Sequence, residues 1–311
     1  MEQRTLFFLV GATASGKSRV ALEVAPRLGA EILSMDSMTV YRGMDIGTAK
    51  PAEAQRQHVR HHLLDLVDPD RPFNVADYVR AADTVLEDLA QRKVRGLFVG
   101  GTALYLKALI SGLFEGPGQD EGVRRRLIER AEHEGSQALH AELTQLDPDA
   151  SGRIHPNDVK RVVRALEVLE VTGRPISAWQ TQWTDQDADR PHVIVGLAWE
   201  RAELYRRIDR RVQEMFQGGL VEEVRGLLDR CGALGPTACQ AVGYAEVVDY
   251  VQGNTTLPET IQLVQTHTRQ FAKRQLTWFR RFPEIRWVQM APQESGEAAA
   301  DRVLSALDAE S

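Results

Sequence analysis

The chain has 311 residues, of which 43% are hydrophobic and 26% charged, with a formal net charge of −6 at pH 7. These values suit a globular protein with a substantial core, arranged as one large domain or two smaller ones. No apolar run approaches the roughly 20 residues that span a bilayer. The two cysteines, Cys231 and Cys239, sit in no CxxC or Cys/His pattern, which points to a reducing, cytoplasmic setting without structural zinc.

Thr5–Val10 is a short apolar run before a glycine-rich turn, the pattern of a fully buried parallel strand rather than of a signal peptide. Lys17–Leu28 has helical spacing at Val20, Ala21, Val24 and Leu28, and Gly29 is positioned to stop it. Glu31–Ser34 reads as a second strand with Asp36 just past its end, residues 77–92 as a helix, Gly96–Val99 as a third strand and Thr102–Ile110 as a helix. This alternation predicts an α/β fold: a P-loop-type parallel sheet with crossover helices. From about Phe114 the character changes to helical patterning with almost no strand candidates. Strand character returns at His192–Ala198, followed by helices near 200–217, 219–230, 240–252 and 258–282, a strand at Ile285–Gln289 and a terminal helix. The expected organisation is a core of residues 1–115 and 191–311 carrying a mostly helical insertion over 116–190.

Residues 11–18, GATASGKS, match the phosphate-binding pattern G-x-x-x-x-G-K-[ST] without mismatch and lie between a predicted strand and a predicted helix. Backbone amides across Gly11, Ala12, Thr13, Ala14, Ser15 and Gly16 can face phosphate oxygens, and the helix presents its positive end to the same anion. Lys17 adds a full charge, and the Ser18 hydroxyl can hold Mg²⁺. The next apolar strand ends in Gly100-Gly101-Thr102, with no aspartate at its tip for NTP hydrolysis. That leaves kinases and transferases that release diphosphate.

Ligands of open α/β sheets bind beyond the carboxyl ends of the strands. Asp36 is at such an end and can act as a proton acceptor, or equally as a turn or cap residue. Asp45 shares the ambiguity, Gly47-Thr48 and Lys50-Pro51 read as a turn near the phosphates, and Thr102 offers a hydroxyl to a leaving oxygen. His58, His61 and His62 with Asp65 raise the idea of a metal, but a strand edge with hydrogen-bonded histidines fits better.

GATASGKS, DSMTVYRGMDIGTAKP (36–51), HHLLD (61–65), FNVADY (73–78), GGTALYLKAL (100–109), RIHPNDVKRVVRALEV (153–168), LYRRIDRRVQEMFQGGLVEEV (204–224), AVGYAEV (241–247) and QFAKRQLTWFR (270–280) together resemble the bacterial tRNA dimethylallyltransferases, also called tRNA isopentenyltransferases. The resemblance runs in order over about 270 residues. It implies a P-loop core with a helical insertion that grips the anticodon stem-loop of tRNA. It also implies transfer of the dimethylallyl group of dimethylallyl diphosphate to the exocyclic amine of the adenosine 3′ of the anticodon, with Mg²⁺ and loss of diphosphate. The P-loop then holds the donor, Asp36 is the general base, and Thr102 lies beside the reacting groups. Asp36, Ser37, Met38 and Thr39, and Lys160, Arg161, Val162, Val163 and Arg164, match segments that contact tRNA. The expected state is a monomer with no membrane partner. Four positions depart from the usual pattern: Ala12 for proline, Ser18 for threonine, Thr39 for glutamine and Lys160 for glutamine. Thr39 puts one tRNA contact in doubt, and none removes a chemical role.

RNA binding also calls for local positive surface despite the acidic total. Residues 269–286 hold six cations against Glu284, with Phe271, Trp278, Phe279 and Phe282 interleaved. Those aromatics read first as core and second as base-stacking platforms. Arg124–Arg126, Arg161 and Arg164 are better placed for phosphate contacts, and Arg206, Arg207, Arg210 and Arg211 form a further cluster. Rival readings are an adenosine-phosphate prenyltransferase, a small-metabolite kinase and a non-catalytic RNA-binding module. The insertion with RIHPNDVKR disfavours the first, and no element for binding the ATP base supports the second. The intact P-loop with Asp36 disfavours the third.

Overall fold

The computed structural model describes residues 5–112, 118–179 and 190–308. The chain divides into two compact units, Met1–Ile110 with Arg190–Ser311, and Ser111–Asp189.

In the larger unit the apolar runs become β1 (Leu6–Gly11), β2 (Ala30–Met35), β3 (His61–His62), β4 (Arg95–Gly100), β5 (His192–Ala198) and β6 (Arg286–Gln289). They form one sheet in the order β3-β2-β4-β1-β5-β6, parallel at every pairing. Phe8, Leu9 and Val10 are fully buried, which is why β1 reads as a continuous apolar run instead of alternating. In register, Phe8 faces Phe98 and their rings stack 5.0 Å apart. Helix α1 (Lys17–Leu28) ends at Gly29, whose φ of 64° allows the left-handed cap. It packs with the C-terminal helix α14 (Gly296–Asp308) on the sheet through Val20, Val24, Ala299 and Val303. Helix α3 (Val75–Gln91) starts at Asn74, whose side chain accepts from the N–H groups of Ala76 and Asp77. Helix α4 (Ala103–Ser111) follows β4. The remaining helices are α10 (Arg201–Gln217), α11 (Leu220–Cys231), α12 (Tyr244–Val251) and α13 (Leu257–Phe279).

Three local differences from the sequence expectations stand out. Helix α2 (Glu53–His58) has no core-facing stripe, since none of its residues is buried, so periodicity does not announce it. The stretch before Tyr244 forms only a 3₁₀ turn at Ala238–Gln240, not the start of a helix. Helix α13 stops at Phe279, short of residue 282. His61 and His62 fall on β3, the sheet edge, while His58 ends α2. His61 Nδ1 lies 2.7 Å from the Val59 carbonyl and His62 Nε2 lies 2.6 Å from Glu31.

The chain leaves the larger unit after Ile110 and returns at Arg190, whose N–H donates to the Ile110 carbonyl at 3.2 Å. No helix among the described residues is long and apolar enough to cross a membrane.

The smaller unit contains α5 (Glu121–Glu134), α6 (Ser136–Leu146), α7 (Pro148–Ser151), α8 (Val159–Thr172) and α9 (Ile176–Trp179), with no strand among its described residues. Leu127, Leu139, Leu143, Val163 and Leu166 form its core. Glu167 is also fully buried. It accepts from the Asp120 N–H at 2.9 Å, from Arg124 at 2.6 Å and from Arg164 at 2.9 Å, so its charge is matched inside the unit.

Candidate active site

The tips of β1, β2 and β4 meet around a cleft of about 400 Å³ in the larger unit. Each tip ends in a feature that carries chemistry. After β1 the chain wraps through the P-loop, where Ala14 (φ 62°) and Gly16 (φ 91°) take left-handed conformations. Such alternation turns successive backbone N–H groups toward one concavity, which suits an anion. Lys17 opens α1 and folds over the loop, its Nζ donating to the carbonyls of Gly11 (3.0 Å) and Ala12 (2.8 Å). Ser18 follows on the cleft wall.

Residues far along the chain brace this loop from outside. The Trp199 indole N–H donates to the Ser15 carbonyl at 2.8 Å. Arg207 Nε donates to the Ala14 carbonyl at 2.9 Å, and its guanidinium lies 4.2 Å from the Trp199 ring centroid. Gln275, on α13, accepts from the Thr13 N–H at 2.8 Å.

At the β2 tip one Asp36 oxygen accepts from the Met38 N–H at 2.8 Å. The turn role and the cleft position therefore coexist in one residue. Ser37 and Met38 line the cleft. Thr39 is 6% exposed and shares a 2.9 Å hydrogen bond with Ser34, so its hydroxyl is engaged within the core. The loop onward is held rigidly. Buried Lys50 donates to the Tyr41 carbonyl and to Asp45 and Asp65 at 2.5–2.7 Å. Glu223 on α11 accepts from the N–H groups of Asp45, Ile46 and Gly47. Asp45 is thus occupied structurally, whereas Gly47, Thr48 and Pro51 reach the cleft wall.

At the β4 tip a Cβ on Gly100 would lie 1.9 Å from the Met35 carbonyl oxygen, so only glycine lets β4 close on β2. Thr102 N–H donates to that same carbonyl at 3.2 Å, and Thr102 Oγ1 accepts from the Ser37 N–H at 3.1 Å. Thr102 is thereby tied to the residue after Asp36.

The cleft is electropositive. Burial, helped by the Arg211 charge and opposed by Asp36, brings the Lys17 ammonium pKa down to about 7. Arg211, on α10, is lowered chiefly by burial, with Asp36 opposing. Arg274 adds a third cation to the lining. Three cations around one carboxylate in a concave, partly desolvated space form a site for a polyanion. The Ser18 hydroxyl and Asp36 carboxylate are hard oxygen donors that both line the cleft. They suit Mg²⁺, which takes one or two protein oxygens and completes its shell with phosphate and water.

Sequence reasoning brought together the P-loop, Asp36 and Thr102 but gave Arg211, Arg274 and Gln275 no role in the cleft. Their signal is helical spacing. Ile208, Arg211, Val212 and Met215 share one face of α10, and Thr268, Phe271, Arg274 and Gln275 share one face of α13. Of the interleaved aromatics, Phe279 is fully buried, Phe271 lines the cleft, and Trp278 lies under Arg281.

In the smaller unit Val162 and Val163 are 1% and 3% exposed, inside the helical core. Contacts outward from that segment therefore fall to Lys160, Arg161 and Arg164, not to the two valines. Arg161 is exposed and pairs with Asp158, while Arg164 and Arg124 bind Glu167.

Residues 39–282 match the family model described as IPP transferase. The chain is 48% identical over 290 residues to the tRNA dimethylallyltransferase of Geobacter metallireducens, covering 93% of each chain. It is 49% identical over 284 residues to that of Geobacter sulfurreducens, covering 91% of each. Among solved structures, the tRNA isopentenylpyrophosphate transferase of Bacillus halodurans superposes with a TM-score of 0.70 at 39% identity, over 98% of this chain and 97% of the other. A eukaryotic dimethylallyltransferase acting on tRNA superposes at 0.80 with 25% identity, over 97% and 77%. The family match starts after the P-loop and Asp36, but these alignments extend over nearly the whole chain. On these matches, the chain belongs to the IPP transferase family.

Proposed function

We propose that this protein transfers the dimethylallyl group of dimethylallyl diphosphate to the exocyclic N6 amine of the adenosine 3′ of the tRNA anticodon and releases diphosphate. The observation that carries the reading is the cleft itself: a P-loop lysine, Arg211 and the Asp36 carboxylate together at the carboxyl ends of parallel strands. Its relatives' names give dimethylallyl transfer and tRNA.

The chain's own residues divide the work. The adenine amine is a weak nucleophile because its lone pair is delocalised into the ring. As the new C–N bond forms, the amine sheds a proton, and Asp36 takes it; a positioned base of this kind is worth roughly 10²–10⁴-fold in rate. The allylic carbon carries positive charge as its bond to the diphosphate oxygen breaks. The departing anion meets the P-loop amides, Lys17 and Arg211, which stabilise the charge where it develops. Thr102 would offer a hydrogen bond from its hydroxyl to a leaving oxygen, without giving up the proton. Ser18 would hold Mg²⁺, which would supply further neutralisation of the diphosphate. A stacked base cannot reach such a cleft, so the adenosine must be flipped out of the anticodon loop. The helical unit, with Lys160, Arg161, Arg164 and Arg124, serves to grip the RNA.

The test is prenylation in the presence of dimethylallyl diphosphate and Mg²⁺, with tRNA, AMP or ATP as the alternative acceptor. Product on tRNA and none on AMP is expected. Prenylation of AMP but not tRNA overturns the reading in favour of an adenosine-phosphate prenyltransferase.

A further inference from the structure

Gln275 occupies an unusual place. It lies on α13, 262 residues from Thr13, is 6% exposed, and uses both ends of its amide. Its Oε1 accepts from the Thr13 N–H at 2.8 Å, and its Nε2 donates to the Gly101 carbonyl at 2.9 Å. One side chain therefore ties the loop after β1 to the turn after β4. The turn continues the connection, because Thr102 follows Gly101 and its Oγ1 accepts from the Ser37 N–H, next to Asp36. Gly101 fits this arrangement sterically: a Cβ there would lie 2.2 Å from Gln275 Nε2, while its backbone is not in the left-handed region that would itself demand glycine.

We infer that Gln275 is a positioning residue that sets the separation between the loop holding the leaving diphosphate and the strand tips carrying Thr102 and Asp36. The inference rests on the functional reading above for what the two sides hold, and on the hydrogen bonds for the bridge. Parallel neighbours β1 and β4 fix strand spacing, but the loops beyond their ends have no ladder to hold them. A buried amide with one acceptor and one donor is the minimal strut for that gap, and burial makes each bond costly to lose. Because in-line displacement depends on the reacting atoms being aligned, a misplacement of about 1 Å can cost about 100-fold.

The experiment uses the full-length protein with two near-isosteric changes. Gln275→Met removes both hydrogen bonds, and Gln275→Glu keeps the acceptor for Thr13 but loses the donor to Gly101. For Gln275→Met, dissociation constants for dimethylallyl diphosphate and tRNA are expected to stay within about threefold, while the single-turnover rate at saturation falls about 30- to 100-fold. Gln275→Glu should lose rate as well. A saturated rate within about threefold of the parent, or a loss that saturating donor restores, overturns the inference. Folding is controlled by a second pair. Gly101→Ala alone should lower the unfolding midpoint, and adding Gln275→Ala should restore the midpoint but not the rate; a fully active Gly101→Ala protein argues the same way as an unaffected Gln275→Met. If the parent protein fails to prenylate tRNA, the functional reading falls. The bridge is then decided by amide exchange at Thr13, which is slow in the parent and fast in Gln275→Met if the strut exists, and equal in both if it does not.

Discussion

Glu167 in the helical unit and Lys17 in the larger one are both enclosed ions, and their surroundings differ. Glu167 is met by two arginines and a backbone N–H. The same unit pairs Arg130 with Glu134 and Glu142, and Arg126 with Glu170. Lys17 has loop carbonyls as hydrogen-bond partners and Arg211 as a like-charged neighbour, with Asp36 the compensating carboxylate. Charge paired in this way holds its own unit together, and the two arginines on Glu167 leave one positive charge over. Unmatched positive charge in a concave site destabilises the empty fold and is relieved by an anion. The comparison thus separates charge that maintains structure from charge that awaits a substrate.

Four changes break or sharpen this contrast. The largest effect is expected at Asp36. Asp36→Ala should lower tRNA prenylation about 10²- to 10⁴-fold, with tRNA retained in a gel-shift or filter-binding assay. Parent-like turnover would remove Asp36 from the chemistry. Next, Lys17→Met should weaken donor binding roughly 10- to 100-fold, the loss of one charge-assisted hydrogen bond. The pH dependence follows in sign: with a pKa of about 7 before binding, Lys17 loses its proton as pH rises, while the diphosphate favours the charged form. Donor binding should therefore take up protons just above neutrality and weaken toward alkaline pH. Calorimetry in buffers of different ionisation enthalpy reads this uptake, and Lys17→Met should abolish most of it.

In the helical unit, Glu167→Ala should cost about 1–3 kcal/mol of stability, limited because Arg124 and Arg164 are each about one quarter exposed and can regain water. Urea unfolding checks it. The smallest effect concerns Glu31, whose carboxyl is held down at about 2 by hydrogen bonds from Arg92, against the opposing effect of burial and with His62 assisting. A depressed carboxylate pKa stabilises the fold above the unfolded value near 4.5, and that contribution disappears as pH falls toward 2. Glu31→Gln should flatten this acid limb by about 1–2 kcal/mol after solvent screening.

How legible these features were depends on how local their cause is. The P-loop is eight consecutive residues, and the buried strands are uninterrupted apolar runs, so both are visible in short windows. Asp36 could be placed at a strand tip, yet spacing alone left its turn and proton-accepting roles tied; the structure shows the turn hydrogen bond and puts the same residue in the cleft lining. Arg211 and Gln275 are different. Each acts on a residue far away in sequence, Arg211 on Asp36 and Gln275 on Thr13, and one basic residue among Arg206, Arg207, Arg210 and Arg211 looks like another until α10 is oriented. Arg206 turns to Glu203, Arg207 to the P-loop and Arg211 to the cleft. The valines of the RIHPNDVKRVVRALEV block, Val162 and Val163, illustrate the converse: a matching sequence block includes residues that only build the core.

The hydrogen bond from Arg190 to Ile110 bears on the molecule's history and handling. It brings the two ends of a 79-residue excursion, residues 111–189, together at a single point of the larger unit, where a short linker could join them. Closing a longer loop adds only logarithmically to its entropic cost, so an insertion here can change in size while leaving the sheet's connectivity intact. The P-loop unit is in that sense a socket, able to accept an insertion of another size without rebuilding its sheet.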